Sequence, residues 1–329
     1  MTLFAVPILI LLLIAIIIML LFRRYRESAF VVLLFLVLNY CWQVYPVHIG
    51  RSSEDENIFR IVSFNIYPQV DSTQYDAWQR QMIHEIKQLN PDILCLQEFR
   101  YKEMVWLEKE LCNFYSYTEE MNDQRKIIKW RIYSRYKMSN ISRYKPSEIM
   151  DTTGLSNMFI SSINKHQIRQ PFYSANVHFS DRDSITIISC HLQSNGYSKI
   201  RRSLLENESW FRRFCQYYKA IESASKIRFW EAQNLRHVLD SIGNNHPIIV
   251  VGDLNDFNRS KCLNTIQGCT LEDAWWKGGN GLGITYSGFG FHLRLDHILF
   301  NNRLSLHNVR IGTSVLSDHR PLIADFTIN

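Results

Sequence analysis

Near its C-terminus the 329-residue chain carries Leu295-Asp296-His297-Ile298-Leu299 and then Ser317-Asp318-His319-Arg320-Pro321-Leu322. The second of these sets a carboxylate, a hard oxygen ligand, beside an imidazole whose ordinary pKa lies close to neutrality. Such a ring can move a proton or hold negative charge developing on an oxygen, and Asp296, in an apolar run, is placed to orient it. Four more apolar runs upstream are punctuated the same way. Asn65 follows Arg60-Ile61-Val62-Ser63-Phe64, and Glu98 follows Asp92-Ile93-Leu94-Cys95-Leu96-Gln97. His191 follows Ile187-Ile188-Ser189-Cys190, while Asp253 and Asn255 follow Ile248-Ile249-Val250-Val251-Gly252 in a Gly-Asp-Leu-Asn turn. An ionisable group at the end of a buried strand sits at the rim of a core, where burial and neighbouring charge shift its pKa.

Glu98 is the foremost metal-ligand candidate. A hard divalent cation such as Mg²⁺ takes one or two carboxylates with waters, although a lone strand-end Glu is as readily a solvent-facing residue. At Gly252-Asp253-Leu254-Asn255 the glycine allows a tight bend that sends residues 253 and 255 to one side. A carboxylate and an amide placed so can hold a water and a phosphate oxygen together; the same residue types also make ordinary turns.

The elements that must position these groups alternate in type. Strands are expected at Phe59–Ile66, Asp92–Gln97, Lys126–Tyr133, Ser156–Ile163, Phe172–Phe179, Ile185–His191, Ile248–Val251, Arg294–Phe300 and Leu322–Ile328. Helices are expected at Tyr75–Leu89, ended by Asn90-Pro91, at Lys102–Leu111 and at Ile227–Leu239, with a Gly-rich loop from Trp275 to Tyr286. Many strands with polar ends, broken by a few helices, predict an α/β fold of two packed β-sheets flanked by helices, a four-layer sandwich.

Ahead of that fold, residues 3–22 form an uncharged run and residues 29–47 a second one, each close to the ~20 residues that cross a bilayer as a helix. Arg23, Arg24 and Arg26 lie between them, and short basic loops stay in the cytoplasm. The expected organisation is a transmembrane hairpin over residues 1–49, a polar linker at 50–57 and one catalytic domain at 58–329. That places the domain outside the cell membrane, with Tyr40, Trp42 and Tyr45 at the outer interface. A cleaved signal peptide followed by a buried helix is the alternative, but no Lys or Arg precedes the first run. With 46% hydrophobic residues the remaining chain can bury a large core, and its net charge of +6 permits an anionic substrate without identifying one. Cys95 and Cys190 read as small core residues, and Cys262 and Cys269 could bridge in an exported domain. Neither a CxxC nor a Cys/His zinc spacing occurs, which argues against a thiolate metal site.

In this order, Ser63-Phe64-Asn65, Leu96-Gln97-Glu98, Cys190-His191-Leu192, Gly252-Asp253-Leu254-Asn255, Asp296-His297-Ile298 and Ser317-Asp318-His319-Arg320-Pro321 resemble the endonuclease/exonuclease/phosphatase superfamily. That group includes deoxyribonuclease-like nucleases, abasic-site endonucleases, inositol polyphosphate phosphatases and neutral sphingomyelinases, and the resemblance spans residues 58–329. It implies that Glu98, helped by Asn65 and Asp318, holds Mg²⁺ or Mn²⁺, and that Asp253 orients or deprotonates the attacking water. It further implies that Asn255 donates to a non-bridging phosphate oxygen, that His319 with Asp296 stabilises charge on phosphorus, and that His191 stands near the leaving oxygen. One departure is the middle segment Trp130-Arg131-Ile132-Tyr133-Ser134-Arg135-Tyr136, where many relatives have a glycine that is missing here.

With the two apolar runs, the resemblance implies a membrane-tethered, divalent-metal-dependent phosphodiesterase, a hydrolase using in-line attack by an activated water. Nucleic acid, cut as by an endonuclease or exonuclease, is placed ahead of a phospholipid or sphingomyelin headgroup as substrate. A catalytically silent binding module would not need the complete set of polar residues. The segment 199–228 interleaves Lys199, Arg201, Arg202, Arg212, Arg213, Lys219, Lys226 and Arg228 with aromatics. It reads either as a surface for a phosphate backbone or anionic headgroups, or as a helix with aromatics packed inward and charges outward. Trp275, Trp276, Tyr286 and Phe289 either rim the site or belong to core and loop.

Overall fold

Strands that are apolar on both faces need cover on both faces, and that requirement sets the architecture. A computed structural model of the chain describes residues 57–68, 70–116, 127–144, 172–195, 210–288 and 291–329, with isolated positions between 17 and 48. The first sheet contains β1 (Phe59–Asn65), β2 (Ile93–Arg100), β3 (Tyr115–Ser116), β4 (Ile127–Ser134), β13 (Leu304–Ile311) and β14 (Leu322–Ile328), in the order β13-β14-β1-β2-β4-β3. The second contains β5 (Lys137–Tyr144), β6 (Phe172–His178), β7 (Ser184–His191), β8 (Ile248–Asp253), β9 (Leu271–Asp273) and β12 (Asp296–Asn301), in the order β5-β6-β7-β8-β12-β9. A short hairpin of β10 (Tyr286–Gly288) and β11 (Phe291–Leu293) stands apart. Both sheets are mixed: β1 and β2 run parallel, as do β7 and β8, and the other pairings are antiparallel.

Alternation along the strands builds the layers. Ile61, Ile93, Cys95 and Ala324 from the first sheet meet Ile187, Ile249, Val251 and Ile298 from the second in the central core. The opposite residues of the first sheet, Val62, Phe64, Leu94 and Leu96, are covered by α1 (Tyr75–Leu89) and α2 (Tyr101–Glu110). The outer residues of the second sheet, Ile188, Cys190, Val250 and Leu299, are covered by α3 (Trp210–Ile242) and α4 (Lys261–Gln267). The α1 helix buries Trp78, Met82, Ile83 and Ile86, one stripe at helical spacing. Each such burial is favourable by roughly 1.5–3 kcal/mol. The helix stops where Asn90 adopts a left-handed conformation and returns its N–H to Lys87 O, immediately before Pro91.

The structure therefore has the expected two sheets flanked by helices, with local differences. The helix expected at 227–239 extends over Trp210–Ile242. The stretch expected as loop from Trp275 to Tyr286 opens with a helix, α5 (Ala274–Gly278), because the Asp273 side chain caps it by accepting from Trp276 N. Cys262 and Cys269 are free thiols, since the first is buried on the inner face of α4 while the second is exposed beyond its end. The strand expected at 156–163 lies outside the described residues, as do almost all of the apolar runs 3–22 and 29–47 and the linker. Among the described residues no helix is long and apolar enough to cross a membrane. At the end of the second run, Pro46 and His48 rest on the domain. Gly281 N donates to Pro46 O at 2.9 Å, His48 N donates to Asn280 Oδ1, and His48 Nε2 lies 3.0 Å from Trp276 O.

One glycine is required for the sheet to close. Gly252 in β8 has φ +145°, and a Cβ there would lie 1.8 Å from the Cys190 carbonyl oxygen of β7. Gly243, at the end of α3, has φ +78° but open space around it. Thermal melts of the purified chain should separate the two effects. Gly252→Ala is expected to destabilise by roughly 3 kcal/mol or more, and Gly243→Ala by about 1 kcal/mol.

Candidate active site

Strand register carries three of the candidate residues to one level. In the parallel pairing of β7 with β8, His191 lies opposite Asp253, and in the antiparallel pairing of β12 with β8, Asp296 lies opposite Asp253. Residues in direct register present their side chains on the same face, so His191, Asp253 and Asp296 stand side by side. On the facing sheet Asn65 ends β1, opposite Gln97 of β2, with Glu98 next along. Glu98 has φ +57°, a left-handed conformation within a strand, and its carboxylate is partly exposed. Asn255 has φ +52° and completes the tight turn after β8.

The Asp253 carboxyl is the centre of the arrangement. Its Oδ2 accepts from Asn65 Nδ2 at 3.1 Å and lies 3.5 Å from His191 Nε2 and 3.6 Å from His319 Nε2. Its Oδ1 accepts from the backbone N–H of Asn255 at 2.9 Å. His191 Nε2 is also 3.2 Å from Glu98 Oε1. The Asn255 side chain donates to Leu192 O at 3.1 Å, tying the end of β8 to the end of β7.

His319 belongs to the loop that enters β14. Its Nδ1 donates to Asp296 Oδ2 at 2.8 Å, leaving Nε2 turned towards Asp253. The loop itself is pinned: Ser317 Oγ donates to Asn65 O at 2.8 Å and accepts from His319 N at 3.2 Å. The buried Thr285 hydroxyl accepts from both Leu295 N and Asp296 N at 3.1 Å, and its own carbonyl accepts from Arg320 N at 2.7 Å. The Tyr286 ring lies 5.0 Å from the His319 ring, centroid to centroid. Tyr286 was among the residues that could rim the site, whereas Thr285 was not singled out in the sequence. The signal for Thr285 was only its place at the end of a Gly-rich stretch, with nothing local to say that the chain returns to His319.

Crowding carboxylates in a dry place has electrostatic consequences. Burial pushes the Asp253 carboxyl up to about 8, with the charges of Asp296 and Glu98 adding to it and His319 opposing it. Burial alone would lower His319, but the charges of Asp296 and Asp253 and the hydrogen bond to Asp296 hold it up at about 10. Burial also raises Asp318, against the pull of His319 and the Ser317 hydroxyl. The donor set suits a hard divalent cation. Ligand atoms of Glu98, His191 and Asp253 all lie within 4.8 Å of one another, and so do those of Asp253, Asp296 and His319. Asp318 belongs to neither grouping; its carboxylate lies 3.4 Å from Ser317 Oγ and its carbonyl accepts from Ser287 N. The Asp296 Oδ1 atom is buried with no hydrogen-bond donor among the described residues, an acceptor that a water or ligand would satisfy.

Comparison with known proteins bears on the family and the fold. The endonuclease/exonuclease/phosphatase family model matches residues 62–319. The solved endonuclease/exonuclease/phosphatase from Bacteroides vulgatus is similar with a TM-score of 0.60 at 16% identity, covering 83% of this chain and 100% of that one. D. rerio TDP2 complexed with single strand DNA product gives 0.58 at 14% identity, over 83% of this chain and 100% of its own. The human Nocturnin catalytic domain with bound sulfate anion gives 0.55 at 17% identity, over 83% and 95%. At these identities the likeness is one of fold. No curated protein matches the sequence.

Asp253 and His319, like Asp318, bind protons in the fold that the unfolded chain releases at lower pH. Asp253 gives up its proton near pH 4 when unfolded and near 8 when folded, so stability declines across that interval. His319 contributes fully below about pH 6.5, and its contribution is lost as pH rises towards 10. The melting temperature of the metal-free chain is therefore expected to fall as pH rises from about 5 to about 9. Asp253→Asn should flatten the lower part of that fall; an unchanged slope in circular-dichroism melts would refute the assignment.

Proposed function

This chain belongs to the endonuclease/exonuclease/phosphatase family, and we propose that it is a divalent-metal-dependent phosphodiesterase that cleaves nucleic acid by in-line attack of water. The convergence of Asn65, His191, Asn255 and His319 on one buried carboxyl, Asp253, carries the proposal. Displacement at phosphorus needs positioning and charge neutralisation more than covalent chemistry. Glu98, with Asn65 and Asp318, would hold Mg²⁺ or Mn²⁺, which supplies polarisation of the phosphoryl oxygens and neutralises their charge.

The protein groups then have separate tasks. Asp253 orients the attacking water and takes its proton, for which a raised pKa is an advantage. The Asn255 amide donates to a non-bridging oxygen. His319, held as a cation by Asp296, faces the charge that builds on phosphorus, where a preorganised donor is worth most. His191 stands at the leaving oxygen.

Support for nucleic acid comes from the fold shared with D. rerio TDP2, which was solved with a single strand DNA product. One observation favours a phospholipid headgroup as a second reading. The exposed apolar residues Tyr67, Phe257 and Val315 lie within three positions of Asn65, Asn255 and Asp318, an arrangement suited to resting on acyl chains. Tethering by residues 3–22 and 29–47 serves either substrate. The proposal sets residues 58–329 apart as an extracytoplasmic domain, and the seating of Pro46 and His48 on the domain supports a short, fixed tether.

Purified full-length chain with Mg²⁺ is to be offered single- and double-stranded DNA, RNA, sphingomyelin vesicles and bis-p-nitrophenyl phosphate. Metal-stimulated hydrolysis is expected, with turnover reduced at least ~100-fold in Glu98→Ala and in His319→Ala. Headgroup release with nucleic acid untouched would replace the nuclease by the lipid reading, and an inert protein across metals and substrates would favour a binding module. For the tether, a reporter fused after Asn329 should be active outside the cytoplasm; activity confined to the cytoplasm reverses the topology.

A further inference from the structure

The α3 helix covers the second sheet with Ala224, Ile227, Ala232, Leu235 and Leu239, yet two charged residues occupy the same inward face. Arg228 is 1% exposed and Glu231 0%. Burying charge is costly unless every donor and acceptor finds a partner, so their partners indicate why they are there. Arg228 Nη1 donates to Gln193 O and to Asn195 Oδ1, both at 2.9 Å, and Nε donates to Asp256 Oδ2 at 3.3 Å. Glu231 Oε2 accepts from Gln193 N at 2.8 Å. Both main-chain polar groups of Gln193 are thus held by one turn of α3.

These contacts fall beside the candidate catalytic residues. Gln193 is two positions after His191, and Leu192 between them is bound through its N–H to Asp253 O (3.0 Å) and through its carbonyl to Asn255 Nδ2 (3.1 Å). Asp256 directly follows Asn255. Its carboxylate is held by Arg228, and its carbonyl lies 3.1 Å from His297 Nε2, whose Nδ1 is 2.8 Å from Asp273 Oδ2. Among the described residues, and beyond its own helix, where Nη2 donates to Ser225 Oγ, the Arg228 guanidinium donates only to the segments that trail His191 and Asn255.

We propose that Arg228 and Glu231 are positioning residues: a two-handed clamp by which α3 fixes the β7 and β8 termini, and with them His191 and Asn255, in the relation that hydrolysis requires. The proposal rests on the phosphodiesterase reading for its kinetic consequence but not for its structural one. A planar guanidinium reaches three acceptors at fixed angles, whereas an ammonium in its place cannot. A displacement of about 1 Å at a catalytic group lowers turnover by roughly 100-fold.

The test uses full-length protein with Arg228→Lys, Glu231→Leu and Glu231→Gln, assayed on bis-p-nitrophenyl phosphate with Mg²⁺ and followed by hydrogen–deuterium exchange. Arg228→Lys and Glu231→Leu are expected to lower kcat by roughly 100-fold with KM changed by no more than about twofold. Amide exchange should quicken at 192–195 and 253–256 while the rest of the sheet stays protected. Glu231→Gln, whose amide oxygen still accepts from Gln193 N, should recover turnover. Asn195→Ala, which removes one arm and leaves Arg228 paired with Gln193 O and Asp256, replaces Arg228→Lys if that variant does not fold. Folded variants with native kcat and unchanged protection would overturn the clamp, as would loosening spread evenly through α3 and the sheet. If the wild type proves inert on phosphodiesters while the two segments still loosen selectively, the clamp stands and the hydrolase reading falls.

Discussion

A carboxyl group buried where two β-sheets meet is the constraint around which this molecule is arranged. Asp253 sits at the end of a strand with core on both faces, and water cannot solvate it there. It must be met by protein groups, and those groups come from both sheets: Asn65 from one, His191 and the Asn255 backbone from the other, and His319 from the loop between β13 and β14. The polar residues at the strand ends therefore join the sheets as well as equipping a site. The same crowding raises the proton affinity of Asp253 and holds His319 as a cation, so the reactivity of this region and the cost of burying it have one origin.

Around that centre lies a wider ring of buried polar contacts. Asp273 accepts two bonds from Arg294 Nη1 and lies against His297; these partners more than offset its burial and hold it below the usual carboxylate range. His297 leads to the Asp256 carbonyl, and Asp256 leads through Arg228 to α3. Such networks are unfavourable when half satisfied and rigid when complete. Here the ring joins β9, β12, the turn after β8 and the helix behind it. Hydrophobic layers alone would let these parts slide, while directional bonds define their separation.

Sequence was most informative where one residue's role is local. The α1 helix was legible from the spacing of Trp78, Met82 and Ile86 and from Asn90-Pro91 at its end. Asn65, Glu98, His191, Asp253 and Asp296 were legible as polar punctuation of apolar runs, and the structure brings them together. Their side-by-side placement was not, because strand register is a property of pairs of segments. The edge strands β5 and β13 were missed since Lys137–Tyr144 and Leu304–Ile311 carry too many polar residues to resemble buried runs. Arg228 was absorbed into a basic, aromatic segment and Glu231 into the helix expected at Ile227–Leu239. What could have singled them out is position: the helical period that places Ala224, Ile227 and Leu235 inward also places residues 228 and 231 inward.

Glu98 and Asn255 both hold left-handed backbone, which a side chain adopts at a cost of about 1–2 kcal/mol each. Glycine would relieve that strain at either position. A population of variants sorted only for thermal endurance would therefore drift towards glycine at 98 and 255, discarding the carboxylate and the amide as it improved. Any laboratory evolution of this protein has to sort on turnover from the first round.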